Sequence, residues 1–66
     1  MILKELKNKT IIKQFDKFIL KNASNFDLLE YSNKDIFLQD IKYNENVIAD
    51  FQINKSNIFI IYVYEF

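Results

Sequence analysis

The feature that most constrains the fold is the absence of glycine and proline from all 66 residues. Glycine normally supplies the φ > 0 conformations that tight turns need, and asparagine is a common substitute because its short amide bonds locally to the backbone. We therefore expect the asparagines to mark the turns. Asparagine-bearing turns near residues 33, 45 and 55 divide the second half of the chain into segments of similar length.

The length and composition predict a single small folded domain spanning residues 1–66. Half of the residues are apolar, which is too many for a disordered chain. A core of this size supplies a stability of only about 3–5 kcal/mol. Ile, Lys, Asn, Phe and Tyr make up 39 of the 66 residues, and Gly, Pro and Arg are absent. We attribute this bias to an A/T-rich, low-GC genome.

Apolar residues recur at helical spacing between Thr10 and Asn22, which predicts an N-terminal amphipathic helix over about 10–22. Thr10 is a suitable N-cap, and Lys21 followed by Asn22 is typical of a helix end. The residues of the apolar arc are Ile11, Ile12, Phe15, Phe18 and Ile19. Ile2, Leu3 and Leu6 point the other way on the same helix. The chain therefore either kinks near residues 8–9 or begins with a separate short segment, 2–7.

After residue 23 the apolar period changes to two, which predicts strands at about 26–31, 36–43, 47–53 and 58–65. The third is the clearest, with one buried face formed by Val47, Ala49, Phe51 and Ile53. In the second strand, Phe37, Ile41 and Tyr43 share a face. Residues 26–31 also fit a short helix capped by Ser24, although the turn spacing favours a strand. The expected fold is α+β, with the helix packed on an antiparallel meander of three or four strands.

The last predicted strand is apolar on both faces, which is typical of a strand covered on both sides. The amphipathic helix covers only one of them. Either residues 2–7 or another chain would have to cover the second, and self-association through this strand is the prediction that follows. The residues assigned to that homodimer contact are Ile58, Ile60, Tyr62, Tyr64 and Phe66.

Missing residue types exclude most catalytic chemistry. Without His and Cys there is no Ser-His or Cys-His pair and no imidazole or thiolate metal site, and without Gly there is no phosphate-binding loop. Asp35, Asp40 and Asp50 could in principle do acid-base work or hold Mg²⁺. Nine evenly spread acids are more typical of a soluble surface. We therefore expect no enzyme activity, no catalytic residues, no cofactor and no metal.

Segment lengths argue against a membrane partner. The longest apolar run, residues 58–64, has seven residues, whereas a membrane-spanning helix needs roughly 20. The first residues lack the apolar core of a signal peptide. A cytoplasmic location is the expectation.

The charges are divided along the chain. Residues 1–22 hold six Lys against Glu5 and Asp16, a net +4, and residues 23–66 hold three Lys against seven acids, a net −4. On the predicted helix, a basic stripe at i, i+4 spacing is either a solvated face or a contact for phosphates. Its members are Lys9, Lys13, Lys17 and Lys21. A series of acids could complement a basic protein if it converged on one surface. Its members are Asp27, Glu30, Asp35, Asp40, Glu45 and Asp50.

These features favour a non-enzymatic protein-binding module, such as a small inhibitor, immunity-type or accessory protein that acts by surface occupation. Its partner would be another protein, with a second copy of the chain as one candidate. One alternative is a nucleic-acid-binding protein that uses the basic stripe. Another is a subunit that is stable only within a larger complex.

Overall fold

The computed structural model describes residues 1–64 and has the predicted α+β class. Within these residues, two short α-helices and one 3₁₀ helix accompany a sheet of four strands. In chain order the elements are α1 (Leu3–Lys7), the 3₁₀ helix (Thr10–Gln14), β1 (Phe18–Asn22), β2 (Leu28–Tyr31), α2 (Lys34–Gln39), β3 (Ile48–Ile53) and β4 (Phe59–Val63). Within the described part of the chain, no helix has the length and apolar character needed to cross a membrane.

The sheet is mixed, with the strand order β2-β1-β4-β3. β1 pairs antiparallel with β2 and parallel with β4, and β4 pairs antiparallel with β3. The parallel register runs from Phe18 opposite Phe59 to Asn22 opposite Val63. The predicted antiparallel meander is therefore wrong, because an element assigned to a helix forms one of the two central strands. Parallel pairing needs a long crossover connection, and residues 23–58 supply it.

The predicted helix over 10–22 is wrong beyond its first turns. Only Thr10–Gln14 is helical, as a 3₁₀ helix, and Phe18–Asn22 is a strand. Phe18 and Leu20 are fully buried, while the intervening Ile19 is partly exposed. Phe18 fits both the helical period and the period of two, so the sequence pattern is ambiguous there. Pairing on both edges decides for the strand, because it satisfies the backbone of 18–22 in the sheet centre.

The hydrophobic core lies on one side of the sheet, beneath all three helices. Phe18 and Phe37 stack with ring centroids 4.1 Å apart, and Phe15 meets Phe59 edge to face at 5.0 Å. The other buried apolar residues of this cluster are Leu3, Leu6, Ile12, Leu20, Tyr31, Ile61 and Val63. Helix α1 thus covers the same face of β4 as the other helices. The alternative in which residues 2–7 cover the second face is wrong.

The predicted strand over 36–43 is wrong, because its first half is helix α2. The Asn33 side chain accepts a hydrogen bond from the Ile36 N–H at 2.9 Å and caps the helix. Phe37 is buried, whereas Ile41 is 75% exposed and shares no buried face with it. Asn33 therefore marks a helix start where the sequence suggested a hairpin.

The strands predicted at 26–31, 47–53 and 58–65 are confirmed with the narrower limits of β2, β3 and β4. Glu65 and Phe66 lie outside the described residues. The predicted buried face of the third strand is wrong, because Val47, Phe51 and Ile53 are about half exposed. β3 is an edge strand, and a bulge between Ile48 and Asp50 shifts its alternation.

The asparagines do mark turns and a helix start, but mostly through their side chains. Among residues 1–64 only Asn57, with φ of 60°, and Phe26, with φ of 61°, adopt positive φ. Asn54 caps the β3–β4 turn by accepting from the N–H groups of Ser56 and Ile58. The side chains of Asn22, Asn25 and Asn33 also accept backbone hydrogen bonds. Local amide bonding, rather than left-handed backbone, therefore replaces glycine in most of these positions.

Candidate protein-binding surface

A partly buried polar cluster joins α1, β2 and the end of α2. The Tyr31 hydroxyl donates to Asp40 Oδ2 at 2.7 Å. Lys7 Nζ donates to the Asp40 carbonyl and to Asn44 Oδ1, the latter at 2.7 Å, and lies 5.0 Å from the ring centroid of Phe37. One ammonium group thus ties α1 to the segment that follows α2.

The electrostatics of this cluster follow from burial and hydrogen bonding. Burial raises the pKa of Tyr31, and its hydrogen bond to Asp40 raises it further. The same bond holds the pKa of Asp40 below its usual value, with a smaller contribution from the Lys42 N–H. Burial lowers the pKa of Lys7. Since these groups satisfy one another, we interpret the cluster as a structural clamp.

The clamp makes the free energy of unfolding depend on pH in the acidic range. Because the folded pKa of Asp40 is depressed, its contribution is present above the unfolded carboxyl pKa of about 4 and is lost as pH falls through the folded value. We expect Tyr31→Phe to cost about 1 kcal/mol at neutral pH and to reduce this acid dependence. Urea unfolding from neutral pH to about pH 3 measures both effects. Parallel pH profiles for the two proteins would contradict the assignment.

An exposed aromatic ring lies in the turn between β1 and β2. Phe26 is 64% exposed and holds φ at 61°, in the left-handed region. The sequence pattern placed it at the start of a strand. Polar Ser24 and Asn25 predict a turn beside it, but no residue preference predicts a left-handed phenylalanine.

Side-chain and backbone hydrogen bonds fix the conformation of this turn. Asn22 Oδ1 accepts from the N–H groups of Ser24 and Asn25, at 2.8 and 3.2 Å. The Phe26 N–H donates to the Asn22 carbonyl at 2.8 Å, and the Asn22 N–H donates to the Asp27 carbonyl at 2.8 Å. The Asp27 N–H also donates to Asn25 Oδ1 at 2.9 Å. The turn is therefore ordered before any partner arrives.

The side of the sheet away from the helices forms an open face. The strand register places six side chains of β2, β1 and β4 on it: Leu28, Glu30, Ile19, Lys21, Ile60 and Tyr62. Lys21 Nζ lies 5.8 Å from the ring centroid of Tyr62. At one end of the face, an open cleft of about 370 Å³ is lined by Lys17, Glu30, Ser32 and Ile58 among others. The lining of the cleft thus combines one acidic and one basic side chain with apolar residues.

The predicted basic stripe loses its geometric basis, because its four residues do not share a helix. Lys9 precedes the 3₁₀ helix, Lys13 lies in it and Lys17 connects it to β1. Lys21 lies in β1 beside Tyr62. The alternation of the strand leaves Lys17 and Lys21 on the same face, about 13 Å apart along the chain.

The six predicted acids are spread around the sheet. Glu30 and Asp50 belong to β2 and β3, which are the opposite edges of the sheet. Asp40 accepts from Tyr31, and Asp50 Oδ1 accepts from the Phe51 N–H at 2.8 Å. The others lie in the β1–β2 turn, the first turn of α2 and the loop before β3: Asp27, Asp35 and Glu45. These positions do not form a single acidic surface.

The residues predicted for self-association lie on or beside β4. Both edges of β4 are paired, with β1 and β3, so its backbone cannot add another strand. Ile60 is largely buried, Ile58 and Tyr62 are half-buried, and Tyr64 is exposed. Phe66 lies outside the described residues. Contact between two copies through these side chains stays a prediction.

Comparison of the chain with protein-family models, with curated proteins and with solved structures finds no match.

Proposed function

We propose that the protein is a non-enzymatic protein-binding module, of the kind used by small inhibitors, immunity-type or accessory proteins, and that Phe26 is its anchor. The observation that carries the proposal is the display of this ring to solvent from a left-handed backbone. The module acts by occupying a partner surface.

The backbone at Phe26 is energetically expensive. A left-handed residue with a β-carbon costs roughly 1–2 kcal/mol, a cost that asparagine and glycine largely avoid. The total stability of a domain this small is only about 3–5 kcal/mol, so the strain is a large fraction of it. Strained residues of this kind cluster at active sites, ligand clamps and switch regions. At 64% exposure, Phe26 gains little compensating burial in the free protein, which supports a use in binding.

The chemistry of the turn indicates the kind of partner. A preordered turn loses little conformational entropy on binding, and an aromatic side chain supplies a large apolar area. Beside the ring, Ser24, Asn25 and Asp27 are exposed polar groups with one negative charge. We therefore expect a folded protein with an apolar recess for the ring and hydrogen-bond donors or cations at its rim.

Phe26→Asn tests the proposal, because it should move stability and binding in opposite directions. Asparagine tolerates the left-handed region, so the free energy of unfolding should rise by up to about 1 kcal/mol. Loss of an anchor side chain should weaken partner binding by about 2 kcal/mol or more, roughly 30-fold. Urea unfolding gives the first quantity. Affinity capture from cell extract, with bound proteins identified and their retention quantified, gives the second.

Two matched variants control for general stickiness and for the ring itself. Ile41→Asn removes a still more exposed apolar side chain, 75% exposed, and should retain the captured protein. Phe26→Tyr keeps an aromatic ring at this position and should also retain the captured protein. The proposal fails if Phe26→Asn and wild type capture the same proteins. Recovery of DNA or RNA that dissociates steeply with salt would instead favour the nucleic-acid-binding alternative.

A further inference from the structure

We propose that β3 pairs antiparallel with β3 of a second copy of this chain, so that two sheets join into one. This contact uses the opposite edge of the sheet from Phe26 and β2, and is independent of the proposed function. β3 pairs with β4 on one side only. Among the described residues, its other side is occupied only near Ile48, where the Ile48 N–H donates to the Met1 carbonyl and the Leu3 N–H donates to the Asn46 carbonyl, both at 2.9 Å. This edge already accepts one antiparallel segment, Ile2 opposite Val47.

Within residues 1–64, no other strand pairs with the rest of this edge. The Asn54 N–H donates inward to the Ile58 carbonyl at 3.1 Å. Because backbone groups alternate along a strand, Phe51 and Ile53 direct their N–H and carbonyl groups outward. In agreement, the Phe51 N–H donates to Asp50 Oδ1 at 2.8 Å. The Asp50 carboxylate occupies the position that a partner carbonyl would take.

One register of two copies uses all of these outward groups. When Gln52 lies opposite Gln52 of the second copy, Phe51 lies opposite Ile53 of the second copy on both sides of the two-fold axis. Each of these pairs exchanges two backbone hydrogen bonds. Phe51 and Ile53 are 45% and 48% exposed, and both are on the side of the sheet that carries Phe59. Each side chain would cover its counterpart in the other copy.

Charge favours a second copy as the occupant. In this register Asp50 faces Asn54 of the second copy, next to Lys55, so opposite charges approach where like charges could have clashed. The other edge strand, β2, has only four residues and places Glu30 outward, which are features that resist edge pairing.

Gln52→Cys tests the register directly, because the chain has no other cysteine. Opposed residues of a non-hydrogen-bonded antiparallel pair have Cα atoms about 4.5 Å apart, within the disulfide range of about 4.4–6.8 Å. We expect a covalent dimer to accumulate under mild oxidation in most of the protein. Gln39→Cys places the cysteine at an exposed position of α2, and this variant should stay largely monomeric. Equal cross-linking of the two variants, or none in Gln52→Cys, would overturn the register.

Sedimentation of the wild type over rising concentration tests the dimer itself. The mass should approach that of two chains, and Ile53→Lys should weaken the association at least about tenfold by placing a charge against an apolar side chain. Ile36→Lys is the matched control, since Ile36 is 49% exposed on α2, and should associate like wild type. Circular dichroism verifies that both variants fold. A wild type that stays monomeric up to several hundred micromolar, or two variants that weaken association equally, would overturn the proposal.

Discussion

Leu20→Ala is expected to leave most of the protein unfolded. Leu20 is fully buried in β1, between Leu29 of β2 and Ile61 of β4. Truncating a buried leucine costs about 2–5 kcal/mol, because apolar burial is lost and a cavity remains. That cost matches the whole stability expected of a domain this size, about 3–5 kcal/mol. Urea unfolding monitored by tyrosine fluorescence and circular dichroism measures it.

The neighbouring Ile19→Ala is the control, because comparing its effect with that of Leu20→Ala distinguishes a strand at these residues from a helix. Ile19 lies on the open face and is partly exposed, so its truncation should cost only about 1–2 kcal/mol. A helix over 10–22 would reverse the order, since Ile19 then falls in the buried arc and Leu20 outside it. A larger loss for Ile19→Ala than for Leu20→Ala would contradict β1.

Phe37→Ala should have an effect of similar size. Phe37 is 1% exposed, stacks on Phe18 and meets the Tyr31 ring edge to face at 5.3 Å. Its truncation should cost about 3–5 kcal/mol and loosen α2 from the sheet. Lys7 also loses the ring beneath its ammonium group. The free energy of unfolding and the near-ultraviolet circular dichroism of the tyrosines report the change.

Phe51→Ala makes the same chemical change at the edge of the sheet. Phe51 stacks on Phe59 at 5.4 Å but is 45% exposed, so we expect a loss of about 1–2 kcal/mol. This comparison is best made at a concentration where the protein is monomeric. Equal losses for the two variants would contradict the half-exposed position of Phe51 at the edge of β3.

Local patterns in the sequence predict the positions of β3 and β4, but they also predict a strand over 36–43 where helix α2 begins, and they fail where two periods coincide. The run at 47–53 alternates cleanly, and the run at 58–65 is too β-prone and too short for a helix. Between 10 and 22, however, Phe15, Phe18 and Ile19 fit a helix, while Phe18 and Leu20 also fit a strand. Only pairing with the distant β4 decides between them. Tertiary context of this kind overrides local propensity.

The proposed binding surface is less predictable from the sequence, because it depends on backbone geometry that residue preferences oppose. The left-handed Phe26 contradicts the usual preference for asparagine at such positions, so only the folded structure reveals it. The exposure of Phe51 and Ile53 depends on β3 being an edge strand, and sheet order is a nonlocal property. The predicted basic stripe required a helix over 10–22, and the four lysines do not share one helix in the structure.

The parallel pairing of β1 with β4 also sets an order for folding during synthesis. The hairpin of β1 with β2, and that of β3 with β4, can each form from neighbouring residues, but the two halves join only when β4 reaches β1. Long-range pairing of this kind closes a large loop and is slow to form. A nascent chain that still lacks residues 59–63 has no second partner for β1, and Phe18 and Leu20 stay accessible to chaperones and proteases. We therefore expect most of the core to form in one late step, when residues 59–63 become available to pair with β1.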